Sequence, residues 1–218
     1  YIKDHFGEIV FPFRRYTVGN VFRAEKPQRG RFREFTQLDF DIVGSDSDLS
    51  DAEVLVVMIS VFEVLGIKNF KILINDRSLF RNIPKEVLTA VDKLDKIGEE
   101  GVRNELKTRG YDPTLLETVK SFEPSERLLK VTDLVREFGV DSRLIEFKPT
   151  VVRGLDYYTG LVFEVVREDL PYALASGGRY DNLLGIFTNT KIPAVGASFG
   201  IDRLEDLVLS LIHISEPT

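Results

Sequence analysis

The 218-residue sequence contains no cysteine, which removes disulfides, thiol nucleophiles and cysteine-ligated metal centres together. Histidine is nearly absent as well. His5 and His213 are the only two, so no histidine-rich metal site is available and little room is left for imidazole acid–base chemistry. No long apolar run exists: the longest, VLVVMISVF at 54–62, is already broken by a serine. It falls well short of the roughly 20 residues that a membrane-spanning helix needs. Positive charge is not in excess either. Lys and Arg number 29 against 35 Asp and Glu, a net charge of −6. That balance argues against broad adhesion to nucleic acid while leaving room for a local basic patch. No signal-like segment opens the chain, so a cytoplasmic location with no membrane partner is expected.

What is present is the composition of a soluble globular protein, 43% hydrophobic and 29% charged, long enough for one large domain or one core with an appendage. Both ends read as truncated. The chain starts at Tyr1, without a methionine and already in strand-like text. At the other end the helical pattern GIDRLEDLV runs into LSLIHISEPT, residues 209–218. This tail resembles the translation of a transposase adapter and is expected to be non-native. A native helix end closed by Pro217 is the alternative.

Between the ends, three blocks separate. Residues 1–84 mix strands with one helix, for which Ser50 is the expected N-cap, Asp51 and Glu53 the acidic first turn and Gly66 the stop. FKILIN, 70–75, then reads as a buried strand. Residues 85–147 switch to helical text, with 3.6-spaced apolar positions on a charged background punctuated by Gly110, Pro113, Pro124 and Gly139. Residues 148–208 return to strands and finish in a helix. The predicted fold is α+β, a mostly antiparallel sheet flanked by helices and carrying a helical insertion at 85–147.

Three stretches carry chemistry. In VFRAEKPQRGRFREFTQLDFDIVG (21–44), two alternating runs flank a basic loop, which predicts a hairpin. Its second run places Leu38, Phe40 and Ile42 on one face and Phe35, Gln37, Asp39 and Asp41 on the other. A half-buried sheet with a solvated polar side is one reading. The other is a nucleotide site, because Lys26, Arg29, Arg31 and Arg33 crowd the loop and guanidinium forks suit phosphate oxygens. The second stretch, VVRGLDYYTGLVFEVV (151–166), sets Arg153, Asp156, Tyr157 and Tyr158 between apolar, strand-like pieces, where such residues are costly unless something binds there. The third is ASGGRYDNLLGIF followed by PAVGASFGIDRLEDL. Gly177, Gly178, Gly196 and Gly200 permit a turn or a close approach of backbone to ligand. No phosphate-binding loop of the G-x-x-x-x-G-K-[ST] type and no G-x-G-x-x-G fingerprint is present.

Taken together, 21–44 resembles motif 2 of the class II aminoacyl-tRNA synthetases and PAVGASFGIDRLEDL resembles motif 3. RGLDYYTG and ASGGRYDNLL resemble the histidine-specific signatures of the histidyl-tRNA synthetase family. The likeness spans nearly all of 1–208, and QLDFDIVG and AVDKLDKIG look closest to its eukaryotic or archaeal branch. The resemblance implies activation of histidine by ATP to histidyl-adenylate and transfer to tRNA(His), with Mg²⁺ carried in by ATP, no protein metal site, and a homodimer. It implies that Arg23 and Arg153 are catalytic, approaching the α-phosphate from opposite sides, with Arg23 also bridging the substrate carboxylate. Glu25 and Phe35 would hold adenine, and Arg31 and Arg203 the γ-phosphate. Asp41 and Tyr158 would face the imidazole, with Gln37, Tyr180, Gly177 and Gly178 around the amino acid. Asp156 is expected to orient Arg153 or a backbone group rather than touch substrate, Tyr157 to sit in the core and Asp39 to be surface.

Motif 1, the preceding loop that in the family takes the α-amino group, and the anticodon-binding domain are not in the sequence, so the chain reads as a truncated catalytic core. The alternative within the same fold is the regulatory paralogue of ATP phosphoribosyltransferase, which binds histidine without charging tRNA.

Overall fold

The computed structural model describes residues 1–24 and 32–215, the side chains of 211–215 excepted. Seven strands form one sheet: β1 (Phe13–Phe22), β2 (Glu34–Val43), β3 (Phe70–Asp76), β4 (Ile145–Phe147), β5 (Leu161–Arg167), β6 (Ala175–Arg179) and β7 (Ala194–Gly200). Their order is β1-β2-β7-β6-β5-β3-β4, and every neighbouring pair is antiparallel except β3 with β4. The helices are α1 (Asp48–Val64), α2 (Lys85–Val91), α3 (Leu94–Thr108), α4 (Leu115–Lys120), α5 (Glu126–Glu137), α6 (Gly185–Thr188) and α7 (Ile201–Ser215). This is the α+β class expected, with the predicted hairpin present as β1 and β2 in the register Arg15↔Asp41, Thr17↔Asp39 and Gly19↔Gln37.

The period-2 pattern of the strands sorts the two sheet faces. On one face Leu38, Phe40, Ile42, Ile72, Ile74, Phe163, Val165 and Phe199 pack under Leu55, Met58, Ile59 and Phe62 of α1 and Leu204 and Leu207 of α7. The opposite face is left for chemistry.

Helix α1 begins three residues earlier than its acidic run suggested. The Ser47 hydroxyl, not that of Ser50, accepts from the Leu49 amide at 3.2 Å. Asp51 is in the first turn as expected, and Glu53 lies beyond it; Asp51 is also fully buried and bonded to two arginines from elsewhere in the chain. The helix stops where expected, with Gly66 at φ +68° just beyond it.

The helical text of 85–147 has two allegiances. Val87, Leu88 and Val91 of α2, Val102 and Leu106 of α3, and Leu116 and Val119 of α4 build a cluster of their own with Phe80 and Val152. Helix α5 instead sends Leu128, Val131 and Val135 into the main core against α1, and the segment ends in β4, an edge strand of the sheet. Helix α3 is broken at Gly98, where φ is +69°. At the other end, α7 continues through residue 208 to Ser215 without interruption.

One local expectation fails. Val151 and Val152 are buried but not in a strand. The Asn75 side chain donates to the carbonyls of Pro149 (2.7 Å) and Val151 (3.1 Å), so these backbone acceptors are satisfied without a neighbouring strand.

Candidate active site on the open face of the sheet

The open face has a floor of very small side chains. Register places Gly200 beside Gln37, Ser198 beside Asp39 and Gly196 beside Asp41, then Ser176 beside Ser198 and Gly178 beside Gly196. Functional side chains therefore rise from β2 on one side, and from β5 and the 153–158 loop on the other. A ligand can lie between them directly on the backbone.

At one end of the floor is a cleft of about 460 Å³, lined by Arg23, Phe35, Gln37, Arg153, Glu164 and Arg203 among others. Five residues singled out in the sequence thus meet in one concavity. Arg23 is exposed and its guanidinium stands 4.3 Å from the centre of the Phe35 ring, a cation–π contact. Arg203, in the first turn of α7, donates to the Ala173 carbonyl at 2.6 Å and lies over the Tyr172 ring. Asp202 accepts from the Thr36 amide at 2.7 Å and so ties the start of α7 to β2. Arg153 is half exposed, with Nε 2.9 Å from Oε2 of Glu164, a carboxylate almost wholly buried on β5. That oxygen receives charge pairing but no well-directed hydrogen bond. Burial pushes the Glu164 carboxyl above its usual range, and the Arg153 charge pulls against this. A larger cavity of about 740 Å³ lies on the helical side, lined by Leu38, Phe40, Val57, Val61 and Leu204. It is apolar, and its arginines are matched, Arg14 with Glu53 and Arg15 with Asp41, so it offers no phosphate site.

Farther along β2, a second group forms around Asp41. The Tyr180 hydroxyl donates to Oδ1 of Asp41, and Arg15 donates to Oδ2 at 2.8 Å. Burial raises the Asp41 carboxyl above its usual range; the Tyr180 bond and the Arg15 charge oppose that shift. Burial likewise raises both the Tyr158 and Tyr180 phenols, so each stays a neutral donor. Glycines make the space. A Cβ on Gly196 would come within 2.1 Å of Asp41 Oδ1, and one on Gly154, at φ +63°, within 1.9 Å of the Tyr158 ring. Gly177 and Gly178 lie inside β6 rather than in a turn. Added Cβ atoms would fall 2.3 Å from the Gly196 carbonyl and 2.7 Å from the Leu161 carbonyl respectively, the latter also 2.8 Å from Tyr158 Cδ1. Gly178→Ala is accordingly expected to displace Tyr158 and cost roughly 1–3 kcal/mol of stability, measured by urea unfolding.

Several expectations need correction. Asp156 does not orient Arg153; it pairs with Lys85 at 2.5 Å, and Glu164 holds Arg153 instead. Tyr157 is not a core residue but 45% exposed, with its ring 4.2 Å from that of Tyr158. Asp39 is not free surface: it is half-buried and accepts from Gln37 Nε2 at 2.6 Å. Glu25 and Arg31, with Lys26 and Arg29, lie outside the described residues. Arg15 and Glu164 went unnoticed in the sequence. The pairing of Arg15 with Asp41 depends on the hairpin register, which the long connection between β1 and β2 does not fix in advance; Glu164 sits in an apolar run that gives no sign of its partner.

The sequence profile described as histidyl-tRNA synthetase matches residues 4–106 and 112–204. Among curated proteins, the histidine–tRNA ligase of Korarchaeum cryptofilum is 40% identical over 99% of this chain and 57% of its own length. That of Nanoarchaeum equitans is 43% identical over 91% of the chain and 51% of its own, and that of Treponema denticola 40% over 94% and 54%. Archaeal and bacterial relatives thus match alike, and the chain spans about half the length of each. Among solved structures, histidyl-tRNA synthetase from Nostoc sp. PCC 7120 superposes with a TM-score of 0.84 at 30% identity, covering 97% of this chain and 57% of that one. A Bacillus halodurans protein described as an ATP phosphoribosyltransferase regulatory subunit/histidyl-tRNA synthetase has a TM-score of 0.76 at 24% identity, which shows the shared fold alone. With the arginine-lined cleft, the Asp41–Tyr180 pair and the profile match in agreement, this chain belongs to the histidyl-tRNA synthetase family.

Proposed function

We propose that the chain carries the catalytic core for activating histidine with ATP and passing the histidyl group to tRNA(His). The observation that carries this reading is the convergence of Arg23, Phe35, Arg153 and Arg203 in one cleft beside the Asp41 group. In the first step a carboxylate oxygen of histidine attacks the α-phosphorus. The P–O bond to pyrophosphate breaks and histidyl-adenylate forms. The nucleophile is already an anion at neutral pH, so no general base is required, in keeping with motifs that contain no histidine. The barrier lies in bringing one anion onto another, which fixed guanidinium groups lower. Arg23 would bridge the carboxylate and the α-phosphate, Arg153 would reach the α-phosphate from the far wall, and Arg203 would take the γ-phosphate end. Phe35 offers a flat face to adenine. Glu25 for the base edge and Arg31 for the γ-phosphate complete the proposal from outside the described residues. Mg²⁺ would enter on the ATP phosphates. Among the described residues no group of three or more His, Asp or Glu side chains that could hold a metal ion is present.

Imidazole recognition falls to the second group. A neutral imidazole has one donor and one acceptor; Asp41 can accept from the first, while the Tyr158 hydroxyl can donate to the second. Tyr180 orients Asp41, and Gly178 lets the ligand lie close to the sheet, whereas Gly177, also expected beside the amino acid, faces the helical side against Phe163. Asp41→Asn is expected to weaken histidine binding by about 10- to 100-fold with ATP affinity unchanged, measured by calorimetry. Its thermal stability provides a second readout. A carboxyl whose folded pKa is raised above its unfolded value contributes stability at low pH and loses it as pH rises through the folded pKa. The amide has no proton to lose, so the melting temperature of the variant should change less than that of the parent as pH rises through the acidic range.

The reading places the full-length protein in the cytoplasm, as a homodimer with ATP, histidine and tRNA(His) as partners. Among the described residues no helix is long and apolar enough to cross a membrane. The experiment is ATP–pyrophosphate exchange, expected with histidine and with no other amino acid. Histidine bound without exchange would move the assignment to the regulatory paralogue, and failure to bind either histidine or ATP would overturn both.

A further inference from the structure

One side chain of the helical insertion reaches the cleft. Lys96, in the first turn of α3, lines it together with Arg153 and Glu164. The turn that carries Lys96 is fixed to the same wall. Asp92 and Asp95 border a narrow crevice with Lys148, Arg153 and Glu164, and Asp95 pairs with Lys148 at 3.4 Å.

Lys96 has no carboxylate of its own. In an unbroken α-helix Glu99 and Glu100, three and four residues on, would share its face and be placed to pair with it. Gly98, at φ +69° and ψ 174°, breaks that spacing, and Glu99 pairs instead with Arg103 and Lys120. Lys93 and Arg109 of the same insertion are both matched by Glu105, whereas no carboxylate among the described residues pairs with Lys96. The acids of the cleft are engaged elsewhere: Glu164 with Arg153 at 2.9 Å, and Asp202 with the Thr36 amide at 2.7 Å. The cleft thus gathers Arg23, Lys96, Arg153 and Arg203 against Glu164 and Asp202. Like charges crowded into a concavity repel one another until an anion enters. Histidine brings a single carboxylate. ATP brings three linked phosphates, which match the surplus.

We infer that Lys96 binds the triphosphate of ATP, so that the helical insertion supplies one cation of the nucleotide site. This rests on the histidine-activation reading and adds to it a link between the insertion and the nucleotide. The break at Gly98 frees the ammonium from the helix surface, and its flexible four-carbon stem lets it follow the phosphates as they move.

The test is calorimetric titration of the 218-residue chain and its Lys96→Met and Lys96→Arg variants. The ligands are ATP with Mg²⁺ and adenosine, which lacks only the triphosphate. Methionine keeps an unbranched stem without the charge, and Lys96 is exposed, so both variants should fold as the parent does, checked by the urea midpoint. Lys96→Met should weaken ATP by about 10-fold, as expected of a charge-assisted contact that stays partly solvated, and leave adenosine unchanged. Lys96→Arg should recover most of the loss, and the gap between parent and Lys96→Met should narrow as salt is added. Equal losses for ATP and adenosine, or undiminished ATP binding by a folded Lys96→Met chain, would overturn the role of Lys96 while leaving histidine activation intact. Failure of the parent chain to bind ATP would overturn the functional reading and this inference with it.

Discussion

Replacing Arg153 with alanine is expected to lower the rate of histidine-dependent ATP–pyrophosphate exchange by about 10²–10³-fold, the effect of losing one preorganised donor to a developing anion. The KM values for histidine and ATP should change much less. Arg153 is half exposed and held from one side by Glu164, so it is poised at the wall of the cleft rather than locked into the core. On the proposed mechanism its removal would strip charge stabilisation that grows only as pyrophosphate departs. Arg153→Lys should recover little, because an ammonium cannot reproduce the planar, multi-donor fork. Glu164→Gln gives a milder version. The amide no longer fixes Arg153 by charge, so exchange should slow without a large change in either KM. A loss in KM alone for Arg153→Ala would mean that the residue binds ground-state substrate and does not stabilise the transition state.

The largest stability effect is expected at Asp51. This carboxylate has no exposed surface and meets Arg179 Nε at 2.9 Å and Arg127 Nε at 2.9 Å. Arg179, itself 1% exposed, also donates to the carbonyl of Ser45 and to Asp181. The triad joins the first turn of α1, the end of β6 and the first turn of α5. Burial pushes the Asp51 carboxyl up, and the two guanidinium groups oppose it without fully cancelling the shift. Assembling such a group contributes little net stability, yet breaking it is costly because the surviving charges stay buried. Asp51→Ala should therefore lose roughly 3–5 kcal/mol, read as a shift in the urea midpoint at constant m-value. Arg127→Met should lose less, since Arg127 is 30% exposed and Asp51 would keep Arg179. Arg179 also lies directly before Tyr180, and its carbonyl accepts from the Thr159 amide at 2.7 Å. A loosened triad should thus reach the Asp41 group as well, and histidine affinity should fall alongside stability.

The amino-acid sequence by itself determined the class of the fold, the hairpin, the buried strand at 70–75 and several of the residues that meet in the cleft. Those signals are local: alternation in a strand, 3.6-residue spacing in a helix, a glycine past a helix end, a specific run such as RGLDYYTG. Tertiary structure alone decided which charges meet. Asp51 carries the pattern of a helix first-turn acid, but folding brings it to arginines 76 and 128 residues away in the chain. Asp156 stands beside Arg153 in sequence, yet the partner of Arg153 is Glu164, which the strand pleat points back into the cleft. Gly177 and Gly178 share the ambiguity of any glycine pair until the neighbouring strand and the Tyr158 ring show that a Cβ would collide there. The apolar residues report their own burial through periodicity, whereas ion pairs and close packing depend on pairs of positions distant in the chain, for which no local pattern exists.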